Sequence, residues 1–359
     1  ALNEAQRLQS EIDTGRDRGL LHGIPLGIKD IIDVAGYPTL AGTDWRTEPC
    51  KKHAQLVQNL LDAGAIVLGK TVTTQFAGFD PSATRNPAAP GRTPGGSSSG
   101  SAAAVAAGMC IAAIGSQTGG SINRPASYCG VVGLKPAFGE VSTMGVVPLS
   151  RNLDHMGPIT NTVDDAVICY QALRNLPSER IPSIDVDVLR MDGFFSQGEV
   201  EVNEMIDLVA GRLDTVDCPV DFVELTTMHK RLMAGDAADV HALEFDEYRD
   251  GYRKHMASQI EWGRKQSDED YEAALDYQKI QRQAVSTWLR KDQVLVMPAT
   301  TSSPPGMETT GNPLFNSPWS FLGLPALSVP QSLSVEGFPL CLQFVGRTVQ
   351  AVVSAARRF

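Results

Sequence analysis

The sequence predicts an α/β fold with one sheet assembled from distant parts of the chain, and three observations carry that reading. Residues 51–75 set Leu56, Val57, Leu60 and Leu61 at helical spacing, stop that helix at Gly64, and run on into AIVLG, which reads as a buried strand. The middle of the chain is helical: EVNEMIDLVAGRLDTV, HALEFDEYRDGYRKHM and DYEAALDYQKIQRQAVSTWLRK carry apolar residues at the helical period beside charged faces. The end returns to short apolar runs bounded by Pro and Gly, in DQVLVMPAT, FLGLPALSVPQS and PLCLQFVG.

The elements follow in order. GIPLGIKD places Lys29 at a strand end, and 51–75 supplies the helix and strand just described. Residues 77–150 differ in texture, holding much of the Gly and Ser, so backbone geometry is being specified there. An Asp-rich start, Asp164 and Asp165, opens an apolar helix from Val163 to about Leu173. The helices between 195 and 290 form an outer layer, expected to lend a rim to a substrate entrance.

Composition narrows the function classes. The 359 residues are 42% hydrophobic and carry 31 Lys and Arg against 41 Asp and Glu, a formal charge of −10, which argues against a nucleic-acid binder. No apolar run is long enough to span a membrane and the first residues are polar, so no membrane partner is expected; the start at Ala1 leaves a trimmed terminus open. The six cysteines, Cys50, Cys110, Cys129, Cys169, Cys218 and Cys341, are scattered, as in a reducing cytoplasm. The six histidines never form HxH, HxxxH or HExxH, so neither a catalytic metal nor a cofactor is expected.

Two Gly-Ser segments need a chemical account. GGSSSGS has the composition of a flexible linker, yet it runs directly into the small-residue helix SAAAVAAG, placing Ser97–Ser101 at a helix start. Neither the GxxxxGK[ST] phosphate loop nor GxGxxG is spelled. In GSQTGGS, residues 115–121, consecutive glycines before a serine can present successive N–H groups toward one point, as an oxyanion requires, with Ser121 as nucleophile. A base must then be found. His155 is near these motifs but has no evident carboxylate partner, and the GxSxG elbow is missing around Ser121. Lys29, among Ile28, Ile31, Ile32 and Val34, is the other candidate; pairing with Asp30 at a strand end is the competing reading.

Taken together, GIPLGIKD, AGAIVLGKTVTTQFA, TPGGSSSGSAAAVAAG, GSQTGGSINRPASYCGVVGLKP, LDHMGPIT, GLPALSVP and LQFVG resemble the amidase signature family of serine hydrolases, in order and over nearly the whole chain. The resemblance implies a Ser–cisSer–Lys triad of Ser121, Ser97 and Lys29, with Ser98 and Ser99 the lesser candidates for the relay. It also implies an oxyanion hole from the N–H groups of Thr118, Gly119, Gly120 and Ser121. The spelling departs from the family at Gln117, where Asp is frequent, and at Asn123, where Arg is frequent, with Arg124 one place later. Those changes exchange a buried charge and its partner for neutral hydrogen-bonding groups. The chain is shorter than the family's usual length, so helices before Ala1 and after Phe359 are expected to be absent from it.

The expected fold is therefore one α/β domain over residues 1–359, a central mixed sheet of about eleven strands covered by helices on both faces. Residues 77–160 are its catalytic core and 195–290 its outer helical layer. The expected activity is hydrolysis of a linear amide through a Ser121 acyl-enzyme, with side esterase activity. The expected substrate is a small-molecule amide or carbamate, and Met144, Phe138 and Trp319 are candidates for its pocket, though each residue type is more often core. Competing readings are a carbamate or urea-derivative hydrolase, a glutaminase subunit of an amidotransferase, a catalytically silent binding protein, and a metal-dependent amidohydrolase. The expected assembly is a monomer or homodimer.

Overall fold

The computed structural model describes residues 1–177 and 180–359. The strands are β1 (Pro25–Lys29), β2 (Ile66–Thr71), β3 (Ala112–Gln117), β4 (Val132–Lys135), β5 (His155–Thr160), β6 (Asp187–Arg190), β7 (Gln293–Pro298), β8 (Ala326–Leu333) and β9 (Pro339–Gly346). The helices are α1 (Leu2–Asp13), α2 (Gln55–Asp62), α3 (Ser99–Ala106), α4 (Asn123–Tyr128), α5 (Val163–Leu173), α6 (Val200–Ala210), α7 (Phe222–Val240), α8 (Ala242–Glu247), α9 (Lys254–Gly263), α10 (Asp268–Trp288), α11 (Ser317–Phe321) and α12 (Val349–Ala356).

Among the described residues the strands form one nine-stranded sheet, in the order β2-β1-β3-β5-β4-β8-β9-β7-β6. The expected count of about eleven is therefore too high. β1 runs parallel to β2 and β3, β6 parallel to β7, and the pairs between β3 and β7 along the sheet are antiparallel, so the sheet is mixed. Distant chain segments meet in it, as when Lys135 of β4 pairs with Ala326 of β8.

Alternation along β3 shows why both faces are covered. Ala112 and Ile114 join the main core, with Leu56 and Leu60 of α2 and Val167 of α5, whereas Ala113 joins a second core with Ala102 and Val105 of α3 and Ala126 of α4. β2 is the correction on the strand side. AIVLG is an edge strand whose Leu68 is 48% exposed, because nothing pairs beyond it.

The helix starting at Val163 ends at Leu173 as its spacing predicts, capped by Thr162, whose side chain accepts from the Asp165 N–H. HALEFDEYRDGYRKHM is not one helix. It breaks after α8 into a short 3₁₀ turn at Arg249–Gly251, where a Cβ on Gly251 would sit 2.5 Å from the Trp45 ring. The segment between the charged helices, Phe222–Val240, is itself a 19-residue helix, capped by Asp221, and α9, α10 and α11 pack on it. No helix among the described residues is long and apolar enough to cross a membrane.

Candidate active site

The site forms where β1, β3 and the start of α3 converge. β1 ends at Lys29, β3 carries Ser116 beside it, and the glycine-serine run entering α3 brings in Ser97. Lys29 Nζ lies 2.7 Å from Ser97 Oγ and 2.7 Å from Ser116 Oγ. The Gly96–Ser97 peptide is cis.

Asp30 is not the partner of Lys29; it pairs with Lys70 at 2.7 Å across the β1–β2 edge. Lys29 is fully buried, and this burial pushes its amine well below the ordinary lysine range, with the negative charge of Asp154 opposing. Two hydroxyls around a buried amine suit the neutral form, which can donate to one and accept from the other.

Ser121 opens the loop to solvent: it is 7% exposed, where Ser97 and Lys29 are at 0%. Three carbonyls of the loop before it are pinned. His229 Nε2 donates to Thr118 O at 3.0 Å, Ser320 Oγ donates to Gly119 O at 2.7 Å, and the Arg124 N–H donates to Gly120 O at 2.9 Å. Among the described residues, the N–H groups of Gly119, Gly120 and Ser121 donate to no other group of the protein. Fixed carbonyls on one side leave amide donors free on the other, as oxyanion stabilisation requires. Gly119 and Gly120 do not adopt positive φ; at Gly120 the glycine answers space, since a Cβ there would meet Asn316 Oδ1 at 2.7 Å, whereas a Cβ on Gly119 would find only ordinary contacts.

Thr118 is braced twice. Its Oγ1 donates to Asp154 Oδ1 at 2.6 Å, while Asp154 Oδ2 accepts from the N–H groups of Leu149 and Ser150. Burial raises the Asp154 carboxyl to about 6 against those hydrogen bonds. Because a carbonyl only accepts, His229 carries its proton on Nε2, and burial pushes its pKa down to about 4. Among the described residues His155 has no carboxylate partner; its Nδ1 faces Leu153 O at 2.6 Å and burial pushes its pKa well below the usual range.

The residues at 117, 123 and 124 bond neutral groups, while Asn123 Oδ1 and Arg124 Nε and Nη1 find no partner among the described residues. Gln117 Oε1 accepts from the N–H groups of Ile122 and Asn123, its Nε2 donates to Ser320, and Asn123 Nδ2 donates to Gly133 O. Arg124 is buried and donates to Gly96 O at 2.8 Å; burial lowers its pKa to about 10. Ser98 bonds the Ser116 backbone and Ser99 bonds Ser82, so neither touches Lys29.

Of the three pocket candidates, Phe138 and Met144 line a cleft with Arg151 and Asp154, beside Thr118. Trp319 does not: it is fully buried, stacked on Phe195, with its N–H toward Met297 Sδ. Sequence reasoning missed Ser116, Asp154, His229 and Ser320. Ser116 and Asp154 stand inside quoted motifs, GSQTGGS and LDHMGPIT, whereas nothing local marks His229 or Ser320. Among the described residues no group of three or more His, Cys, Asp or Glu is placed to hold a metal ion.

Residues 1–188 match the model of the family described as Amidase. The chain is 31% identical to a glutamyl-tRNA(Gln) amidotransferase subunit from a Nostoc species, over 98% of this chain and 85% of that protein. A crystal structure of an amidase superposes with a TM-score of 0.88 at 33% identity, covering 99% of this chain and 87% of the other. The peptide amidase of Stenotrophomonas maltophilia superposes with a TM-score of 0.78 at 27% identity, over 99% and 87%. With its motifs in order along the chain and its relatives aligned over almost all of its length, this chain belongs to the Amidase family.

Proposed function

We propose that the protein hydrolyses a small-molecule amide, with Ser121 as nucleophile, Ser97 as relay and neutral Lys29 as base. The observation that carries this reading is the loop whose three carbonyls are pinned while its amide donors stay free, beside a buried amine on two hydroxyls. Ser121 Oγ attacks the amide carbonyl, and its proton passes through Ser97 to Lys29 Nζ. The oxyanion settles on the N–H groups of Thr118, Gly119, Gly120 and Ser121. The proton then goes to the departing nitrogen, the C–N bond breaks, and an acyl-enzyme remains. Water adds to that ester, giving up a proton along the same path, and the acid leaves. Esters, whose leaving group needs no such protonation, are expected side substrates, and carbamates present the same planar carbonyl.

The similarity to a glutamyl-tRNA(Gln) amidotransferase subunit favours a second reading, ammonia release from glutamine. The apolar cavity beside Gly119 speaks against it: among the described residues Lys230 is its one ionised side chain, and no carboxylate there meets an α-ammonium. We further propose a monomer or homodimer working in the cytoplasm without nucleic acid or membrane, in keeping with the charge of −10.

The test is a panel of an aryl amide, an aryl ester, an aryl carbamate and glutamine, given to wild type, Ser121→Ala and Lys29→Ala. Amide turnover is lost in both variants, while part of the ester turnover survives Lys29→Ala. A fully active Ser121→Ala overturns the nucleophile; glutamine as the best substrate overturns the first reading in favour of the second.

A further inference from the structure

A cavity of about 330 Å³ opens directly beside the loop at Thr118–Gly119. Its inner wall is His229 and Pro313: His229 holds the Thr118 carbonyl, and a Cβ on Gly119 would lie 3.6 Å from His229 Cε1 and 3.7 Å from Pro313 Cβ. Phe79, Met233, Leu314 and Trp262 supply the apolar walls, from the loop after β2, from α7, from the segment before α11 and from α9. Trp262 is 45% exposed, a large apolar ring left to solvent beside an apolar space. His229 is kept neutral by burial, so among the described residues Lys230 is the sole ion in the lining.

We propose that this cavity seats the apolar group attached to the scissile carbonyl, and that the substrates are amides of arylalkyl or branched alkyl acids. The inference rests on the amidase reading and goes beyond it by naming the acyl group. An apolar cavity of roughly 150 Å³ already accepts benzene, so the space here takes a substituted ring or a short branched chain. A zwitterionic acyl group finds one cation and no anion. Each methylene seated there raises kcat/KM about fourfold, until the space is filled.

The experiment measures ammonia release from acetamide, butyramide, phenylacetamide and glutamine by wild type and Leu314→Trp, and phenylacetamide binding by Trp fluorescence in Ser121→Ala. Leu314 stands in the cavity wall outside the proposed catalytic groups, so its variant narrows the cavity without touching them. Phenylacetamide is expected to exceed acetamide by at least tenfold in kcat/KM, and Leu314→Trp to erase that advantage while leaving acetamide turnover within about threefold. Ser121→Ala should give a saturable fluorescence change with phenylacetamide, absent when Trp262→Phe is added. Equal kcat/KM along the series, with Leu314→Trp neutral and no fluorescence change, overturns the cavity assignment while the amidase reading stands. Saturable binding to Ser121→Ala, lost with Trp262→Phe, alongside a wild type inert toward every amide, overturns the amidase reading and upholds the cavity as a binding site.

Discussion

Gly120→Ala tests whether the amide donors are set by packing. The new Cβ would stand 2.7 Å from Asn316 Oδ1, about 0.7 Å inside ordinary contact at 3.4 Å, and 3.1 Å from Asn316 Cβ. Asn316 cannot swing aside without loss, since it is fully buried and its Nδ2 donates to Ala299 O at 2.9 Å and Gln343 Oε1 at 2.8 Å. The loop is therefore the element that moves. Overpacking of this size costs about 1–3 kcal/mol of stability. Misplacing an oxyanion donor lowers kcat about 10²- to 10³-fold. Gly119→Ala is the control, because its Cβ makes contacts at 3.6 and 3.7 Å and stays within ordinary packing. The assay is kcat and KM on an aryl amide and an aryl ester, with thermal unfolding alongside. Gly120→Ala should lose kcat with little change in KM, and Asn316→Ala added to it should restore at least tenfold by removing the 2.7 Å contact. A Gly120→Ala enzyme within twofold of wild type in kcat and unchanged in Tm would refute the argument, as would a double variant showing no coupling.

Ser116→Ala removes one of the two hydroxyls on Lys29 and is expected to lower amide kcat roughly 10- to 150-fold, the worth of a hydrogen bond to a charged group, with a shifted acid limb in the pH-rate profile. Lys29→Met abolishes amide turnover and removes one contribution to the pH dependence of stability, while Lys135, also buried with a lowered pKa, keeps its own. In wild type the unfolded chain holds a proton that the folded chain has shed, so stability rises with pH until the unfolded lysine titrates, by at most about 1.4 kcal/mol per pH unit; denaturant unfolding at pH 7, 8 and 9 reads the slope. Asp154 runs the other way. Its folded pKa of about 6 lies above the ordinary 3.8, so the folded chain binds the extra proton and this group's contribution falls as pH rises through that window, against the buried His229 and His241, whose pKa values of about 4 give the opposite slope; Asp154→Asn should steepen the rise of stability with pH there. Dialysis against a chelator should leave the amidase rate unchanged, and a rate lost on dialysis and restored by zinc would count against the triad.

The sheet and its flanking helices were legible because their signals are local. The run from Val163 to Leu173 folds as its Asp-rich start and apolar face predict, and Gly64 stops α2, with φ +87, where the sequence places the stop. AIVLG was read as buried because a short apolar run looks alike at the edge and the centre of a sheet; only pairing decides, and β2 has one neighbour. Lys29, Ser97 and Ser121 stand in motifs the sequence spells, whereas the competing Asp30 pairing was settled by Lys70, 40 positions away along the chain. Trp319 was a pocket candidate as an aromatic residue near the motifs, but a ring of that area is most stable stacked in the core on Phe195. His229 and Ser320 escaped notice because their partners are carbonyls at Thr118 and Gly119, 111 and 201 positions away, and a backbone partner leaves no trace in residue type.

The family match ends at residue 188, and most of the cavity wall comes later, from α7, α9 and the segment at 312–317. Under the proposed assignment the groups that cleave and most of those that choose the substrate come from different parts of the chain, so altered selectivity can arise by substitutions in the later part while Lys29, Ser97 and Ser121 stay unchanged. The bond from His229 to the Thr118 carbonyl sets a limit on such change. It ties the later half to the loop before Ser121, as do Ser320 on the Gly119 carbonyl and Asn316 against Gly120, so a graft that retilts α7 changes rate together with preference, and a directed-evolution library over the cavity would do best to keep His229, Asn316 and Ser320 fixed.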